Sequence, residues 1–226
     1  TGVGTRVAMD LDHLAGIVDE CVVYLDLMND LSAPVGIWFP VLPATSGLAS
    51  CLVIGCAGLK VDQWWTPVPS AGMHIPVRYR AATSYARWMA RLFGMRIPAP
   101  EPVGIGEAGK IALWAYNCVR EKGKCLLVTY VSLGVRVSLA AKEMGLDLTG
   151  VMFVGAGEPP TPAKVRAIRS SGGSWMSSYG FTEGGLVALS CSNPLGENDL
   201  HVWTDAWAVV QNPVEVPGST LVVDAF

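Results

Sequence analysis

The sequence predicts an α/β fold, a mostly parallel sheet flanked by helices, with additional antiparallel strands toward its C-terminal end. Three observations carry this expectation. Short apolar runs of strand length alternate with segments of helical period through most of the chain. The compact run from Val35 to Val41 is apolar almost throughout, as in a strand covered on both faces. Beyond Ser178, strand-like segments follow one another with no helix between them, and such neighbours pair antiparallel.

The elements follow in order. Thr5 to Met9 alternates as a short strand, and Asp10 caps a helix over Leu11 to Leu31, whose Leu11, Leu14, Ile17, Val18, Cys21, Val22 and Leu25 keep helical spacing. Val35 to Val41 reads as a strand, Thr45 to Leu59 as a buried helix of small residues, and Lys60 to Thr66 as a strand. From Pro67 to Gly106 the pattern loosens, with one helix over Ala81 to Leu92 between loops and prolines dense around Pro98 to Pro102. A helix follows over Glu107 to Arg120, then a strand over Cys125 to Val131, a helix over Leu133 to Met144 and a strand over Gly150 to Val154. Thr161 caps a helix running to Ser170, with Pro162 in its first turn and Gly172-Gly173 beyond its end. Ser174 to Ser178 is the next strand. Leu186 to Cys191, Leu200 to Val210 and Thr220 to Val223 complete the set.

Composition limits what such a fold does. The 226 residues are 51% hydrophobic and 15% charged, against a usual charged share of about 25%. Mean hydropathy is +0.38, yet no apolar run reaches the roughly 18 residues of a membrane span. Such a chain carries more apolar surface than its core needs, which predicts an exposed face that self-associates into a homo-oligomer or packs against flanking chain. A net charge of −3 without a basic run excludes nucleic acid as the principal partner. The six cysteines form no C-x-x-C pair and have no histidines at zinc spacing. They read as free thiols of a reducing, cytoplasmic setting.

Three glycine-rich stretches invite a phosphate. "GIGEAGK" (Gly104 to Lys110) has the letters of a dinucleotide loop, but "IPAPEPV" before it cannot supply a central strand and no Ser or Thr follows Lys110. "GAGEPP" (Gly155 to Pro160) and "YGFTEGG" (Tyr179 to Gly185) each begin where a predicted parallel strand ends, with one helix between the strands. The carboxyl ends of neighbouring strands form the ligand crevice of such sheets. Gly155 and Gly157 would let backbone approach a flat ring, Tyr179 would stack on it, Thr182 would donate to a phosphate, and Glu183 is a hard oxygen ligand suited to Mg²⁺. Tyr130 and Ser132, at the end of the preceding strand, would wall the same crevice. Ser132 lacks the G-x-S-x-G elbow of a nucleophile. Spacing alone leaves two readings open, a nucleotide pocket or two ordinary turns with a solvated Glu183.

"FVGAGEPPTPAKVRAIRSSGGSWMSSYGFTEGG" resembles the adenylate-forming superfamily of acyl-CoA synthetases, luciferases and peptide-synthetase adenylation domains, and within it the phenylacetate-CoA ligase branch. "DLHVWTDAWAVV" and "GSTLVV" resemble its downstream strands, and "TGVGTRV" the tail of its phosphate loop. The resemblance implies an acetyl-CoA synthetase-like large domain, of which residues 1–226 form a partial adenylation domain without the C-terminal lid. It implies that Gly155, Ala156, Gly157 and Glu158 line the adenine and acyl-carboxylate region, and that Tyr179 and Gly180 pack on adenine. Thr182 would contact the α-phosphate, Glu183 would bind Mg²⁺, and Thr1 and Gly2 would end the phosphate loop. Thr182 and Glu183 would then be the catalytic pair, with ATP, Mg²⁺ and coenzyme A as cofactors and a small carboxylic acid as substrate. A binding-only relative of the same fold and a dinucleotide-binding Rossmann-like enzyme are the alternatives.

Overall fold

The computed structural model describes residues 18, 32–68, 75–181, 185–191, 193–204 and 207–209. The strand expected at Thr5 to Met9, the helix from Leu11 save helical Val18, and the strand at Thr220 to Val223 lie outside them. Eight strands and five helices are described: β1 (Val35–Trp38), α1 (Ser46–Cys56), β2 (Val61–Val68), α2 (Val77–Leu92), β3 (Pro100–Gly104), α3 (Ala108–Lys122), β4 (Cys125–Tyr130), α4 (Val131–Glu143), β5 (Val151–Ala156), α5 (Pro162–Arg169), β6 (Ser174–Phe181), β7 (Gly185–Leu189) and β8 (His201–Val202). They build one sheet in the order β3-β2-β1-β4-β5-β6-β7-β8. The pairs from β3 to β6 are parallel, and β6-β7 and β7-β8 are antiparallel. The expected α/β class is the observed one.

Both faces of the parallel part are covered at its centre, which is why β1 reads as an unbroken apolar run. On one face, Ile111 and Ala115 of α3, Val137 of α4 and Ile168 of α5 pack on Trp38, Trp65, Leu127 and Phe153. On the other, Cys51 and Ile54 of α1 and Ala90 of α2 pack on Val35, Ile37 and Trp64. The adjacent Trp64 and Trp65 are split between the two cores because successive strand residues face opposite ways. Burying an aromatic side chain of this size contributes roughly 1.5–3 kcal/mol or more, so this pair is packing and not a stacking platform. Trp64 also donates its indole N–H to the Phe39 carbonyl at 3.0 Å.

Two expectations need correction. The segment from Pro67 to Gly106 is more regular than its prolines suggested: α2 begins at Val77, and Pro100–Gly104 forms β3. A strand with Pro100 and Pro102 survives because β3 lies at the sheet edge and pairs only with β2. The tail of the sheet is shorter than expected, since among the described residues of Leu200 to Val210 only His201 and Val202 are strand.

α5 follows its sequence signals closely. The Thr161 hydroxyl accepts the Lys164 N–H at 3.4 Å, Pro162 opens the helix, and Gly172 beyond it takes φ +90°.

Candidate functional site

The strand order 3-2-1-4-5-6 reverses direction between β1 and β4, and the crevice at the carboxyl ends beside such a reversal is where doubly wound sheets bind ligands. Tyr130 ends β4 there. Its ring meets Phe39, just past β1, edge-on at 4.7 Å between centroids, and its hydroxyl lies 3.2 Å from the Ser46 hydroxyl at the start of α1. On the next strand, Ala156 is in register with Tyr130 and Gly155 with Thr129. On the strand after that, Ser177 is in register with Gly155. The turn after β5 and the outer half of β6 therefore stand side by side at the carboxyl end of the parallel sheet, as the single intervening helix predicts.

The two glycines of the first turn have separate reasons to be glycine. Gly157 takes φ +74°, and a Cβ on it would come within 2.8 Å of the Tyr130 ring. Gly155 lies under the indole of Trp175, which occupies the place of a side chain. The flat ring that approaches Gly155 thus belongs to the protein itself. Trp175 is held over it by an indole N–H donated to the Ser177 hydroxyl at 2.9 Å.

Glu158 faces inward to α4. Its carboxylate accepts the Ser132 N–H at 3.0 Å and the Ser132 hydroxyl at 2.7 Å, with the Lys164 ammonium 3.4 Å away. α4 has no side-chain cap from Tyr130 and no acidic residue in its first turn, so Glu158, 26 residues downstream, supplies the anion that this helix end favours. Burial works against the ionised form, but the Ser132 hydroxyl, its amide and Lys164 together outweigh it and hold the carboxyl below its usual range. Ser132 and Glu158, expected to contact ligand, are joined to each other.

"YGFTEGG" is not a loop throughout. β6 continues through Tyr179, Gly180 and Phe181, which pair with Ala188, Leu186 and Gly185 of β7 across a bulge between Tyr179 and Gly180. Gly180 has no room for a side chain because the Gly185 carbonyl fills it. Tyr179 and Phe181 share a face and are 54% and 43% exposed, with their rings 6.3 Å apart. Trp207 meets Phe181 edge-on at 5.8 Å. Phe181 and Trp207 extend the aromatic surface beyond Tyr179, and the sequence signal for Phe181 was its i, i+2 spacing from Tyr179 on one strand. Thr182, Glu183, Thr1 and Gly2 lie outside the described residues. Phe181 and Gly185, the described residues nearest the expected catalytic pair on either side, are in register with each other.

The third glycine-rich stretch behaves differently. A strand does precede "GIGEAGK", but it is the edge strand β3, and the helix end beyond it is already satisfied. Gly104 donates its N–H to Glu107 at 2.9 Å, and Lys110 pairs with the same carboxylate at 2.8 Å. The place a phosphate would take at this helix end is held by the chain's own anion. A surface hollow lined by Ser32, Lys60, Asp62 and Lys122 lies at the opposite, amino end of β1 and β2.

No family model and no curated protein matches the chain. Among solved structures, it is similar to IdnL1, at 12% identity and a TM-score of 0.29 over 95% of this chain and 66% of that one. It is similar to a mutant form of coronafacic acid ligase from Pectobacterium brasiliense, at 9% identity and a TM-score of 0.32 over 78% and 56%. It is also similar to the adenylation domain of a keto acid-selecting NRPS module, at 8% identity and a TM-score of 0.31 over 78% and 53%. The chain spans less than two thirds of each of these proteins. Where these solved structures are named for an activity, that activity is ligation or adenylation.

Proposed function

We propose that this chain is part of an adenylate-forming enzyme that activates a carboxylic acid with ATP and passes the acyl group to coenzyme A. One observation carries the reading. The Ala156-Gly157 turn and the exposed ring of Tyr179 stand on neighbouring strands at the carboxyl end of the sheet, and this is the placement that the resemblance of "GAGEPP" and "YGFTEGG" requires. In this reading Tyr179 lies against the adenine ring, and the backbone at Ala156 and Gly157 borders the adenine and the acyl carboxylate. Tyr130, with Ser46 and Phe39, forms the wall of the acyl pocket. Glu158 and Ser132 act one step removed, by fixing the turn after β5 on the end of α4.

The reaction joins a carboxylate oxygen of the acid to the α-phosphorus of ATP and releases pyrophosphate. Catalysis of that step is mainly positioning and neutralisation of phosphate charge. The reading assigns the latter to Thr182 and to Mg²⁺ on Glu183, beside the described Phe181 and Gly185. Pyrophosphate exchange into ATP by the full-length protein, scanned over aryl and alkyl acids, tests it. Acid-dependent exchange supports the reading, and its absence across the panel with ATP still bound favours the binding-only alternative. The dinucleotide alternative draws on the strand before Gly104, and Glu107 at that helix end opposes it.

A further inference from the structure

The hairpin beyond the proposed nucleotide crevice gathers a second kind of chemistry. Cys191 follows the end of β7 by two residues, Asp199 precedes β8 by two, and His201 opens β8. The antiparallel register sets His201 opposite Leu189, which brings both ends of the connection together. The thiol, a carboxylate oxygen and an imidazole nitrogen all lie within 4.8 Å of one another. Tetrahedral coordination by bonds of about 2.0–2.3 Å separates ligand atoms by roughly 3.3–3.8 Å, so small side-chain rotations close the cluster onto an ion.

The surroundings are those of a ligand set. Asp199 is oriented by the Leu195 N–H, which donates to one carboxylate oxygen at 2.8 Å, and no side chain among the described residues bonds the other oxygen. Such outer contacts fix the direction of metal ligands. Among the described residues, neither the Cys191 thiol nor the His201 ring has a hydrogen-bond partner. The connection is also anchored on the rest of the sheet. Ser177 of β6 donates its hydroxyl to the Glu197 carbonyl at 2.7 Å, and Arg169 of α5 lies 3.8 Å from the Glu197 carboxylate. β8 itself has two residues and two register pairs, too few to hold a hairpin end closed in water.

We infer that Cys191, Asp199 and His201 form a binding site for a zinc-class divalent transition metal that clips the β7-β8 hairpin shut. The donors select the metal: a thiol with an imidazole suits Zn²⁺ and its neighbours, whereas Mg²⁺ and Ca²⁺ take oxygen ligands. Binding forms a metal–sulfur bond and breaks the S–H bond, with the proton released to solvent. Three protein ligands leave the fourth position to water. This set does not show at the finger-like cysteine–histidine spacings of the sequence. Here a carboxylate supplies one ligand, and the partners meet across a hairpin.

The test uses the chain stripped with chelator and titrated with Co²⁺, then Zn²⁺. One Co²⁺ per chain should bind, giving a sulfur-to-cobalt charge-transfer band and the visible bands of a tetrahedral site, both displaced by Zn²⁺. Cys191→Ser should abolish the charge-transfer band. Asp199→Asn and His201→Gln should each weaken binding by at least about 10–100-fold, the range lost when even an outer-shell partner is removed. Cys56→Ser, at an exposed cysteine elsewhere, should change nothing. A missing band, a band that survives Cys191→Ser, or equal loss in Cys56→Ser overturns the inference. Should Cys191→Ser not fold, alkylation of the unmutated chain decides: Zn²⁺ should protect Cys191 selectively, and equal modification with and without Zn²⁺ overturns the site. None of these readouts depends on nucleotide chemistry.

Discussion

Replacing Glu158 by Gln separates a ligand-binding residue from one that holds the frame. In the structure its carboxylate accepts two hydrogen bonds from Ser132 and faces Lys164, and its side chain is 32% exposed. Hydrogen bonds to a charged group contribute about 1.5–3 kcal/mol when buried, and a helix-end partner typically about 1 kcal/mol. Partial exposure places the loss for Glu158→Gln at about 1–2 kcal/mol, because the amide keeps one acceptor and loses the charge. For a chain of this size that lowers the thermal midpoint by about 2–8 °C. Because the folded carboxyl titrates below its ordinary value of 4.5, it contributes stability that is fully present above that value and lost as pH falls through the folded one. The difference between wild type and Glu158→Gln should therefore be constant near neutrality and vanish in acid below the usual carboxylate range. Ser132→Ala combined with Glu158→Gln should cost less than the sum of the two, by roughly 0.5 kcal/mol or more, as expected of groups in direct contact. Calorimetry across pH, paired with ATP titration, reads all of this. An unchanged midpoint with a large loss of ATP affinity would refute the framing role and make Glu158 a ligand contact.

Gly155→Ala should destabilise by about 1–3 kcal/mol through overpacking against Trp175, and a midpoint within error of wild type would show that the indole moves aside freely. Glu183→Gln in the full-length protein should slow pyrophosphate exchange by on the order of 100-fold, with the midpoint nearly unchanged; an unchanged rate would remove Glu183 from the phosphate chemistry. Ser177→Ala leaves the Trp175 N–H and the Glu197 carbonyl without their partner and should cost about 1–3 kcal/mol. Tyr179→Ala should stay within about 0.5 kcal/mol while weakening ATP binding, and urea titrations of the two variants decide between these outcomes. Val77, Trp88, Leu92 and Phe93 of α2 and its end are each more than half exposed, so Trp88→Glu with Phe93→Ser should reduce self-association in sedimentation runs; a chain that is monomeric before mutation removes the premise.

What was legible in the sequence was what local chemistry decides. Thr161 and Pro162 open α5 because a hydroxyl cap and a fixed φ act within one turn. β4 and β5 were visible because strands covered on both faces are apolar at nearly every position. The missed elements depend on partners distant in the chain. Pro100 and Pro102 argue against a strand until the edge position of β3, a property of the whole sheet, makes the missing N–H groups harmless. Gly180 and the glycines after it argue for a loop until β7 offers backbone to pair with. At the site, the placement of Tyr179 beside the turn after β5 was legible from one helix between two strands. The engagement of Glu158 with Ser132 was not, since no periodicity connects residues 26 apart.

The course of β6 explains why stability and ligand contact can be separated in this fold. Its first half, Ser174 to Ser177, pairs with β5 inside the parallel sheet, and there Trp175, Met176 and Ser177 are buried. Its second half, Ser178 to Phe181, leaves β5 and pairs with β7, and Tyr179 and Phe181 stand exposed. Ser178 marks the change, donating its hydroxyl back to the Gly155 carbonyl at 2.9 Å. A strand that outruns its parallel neighbour in this way carries side chains past the core without a flexible loop, so their positions are set by the sheet. Side chains placed by strands hold their geometry better than side chains on loops. The bulge between Tyr179 and Gly180 adds local twist at the point where the strand leaves the core, which is where bulges turn a side chain toward a site. The rigid half of β6 thus fixes the angle at which Tyr179 is presented, and substitutions in the outer half alter what it meets without loosening what holds it.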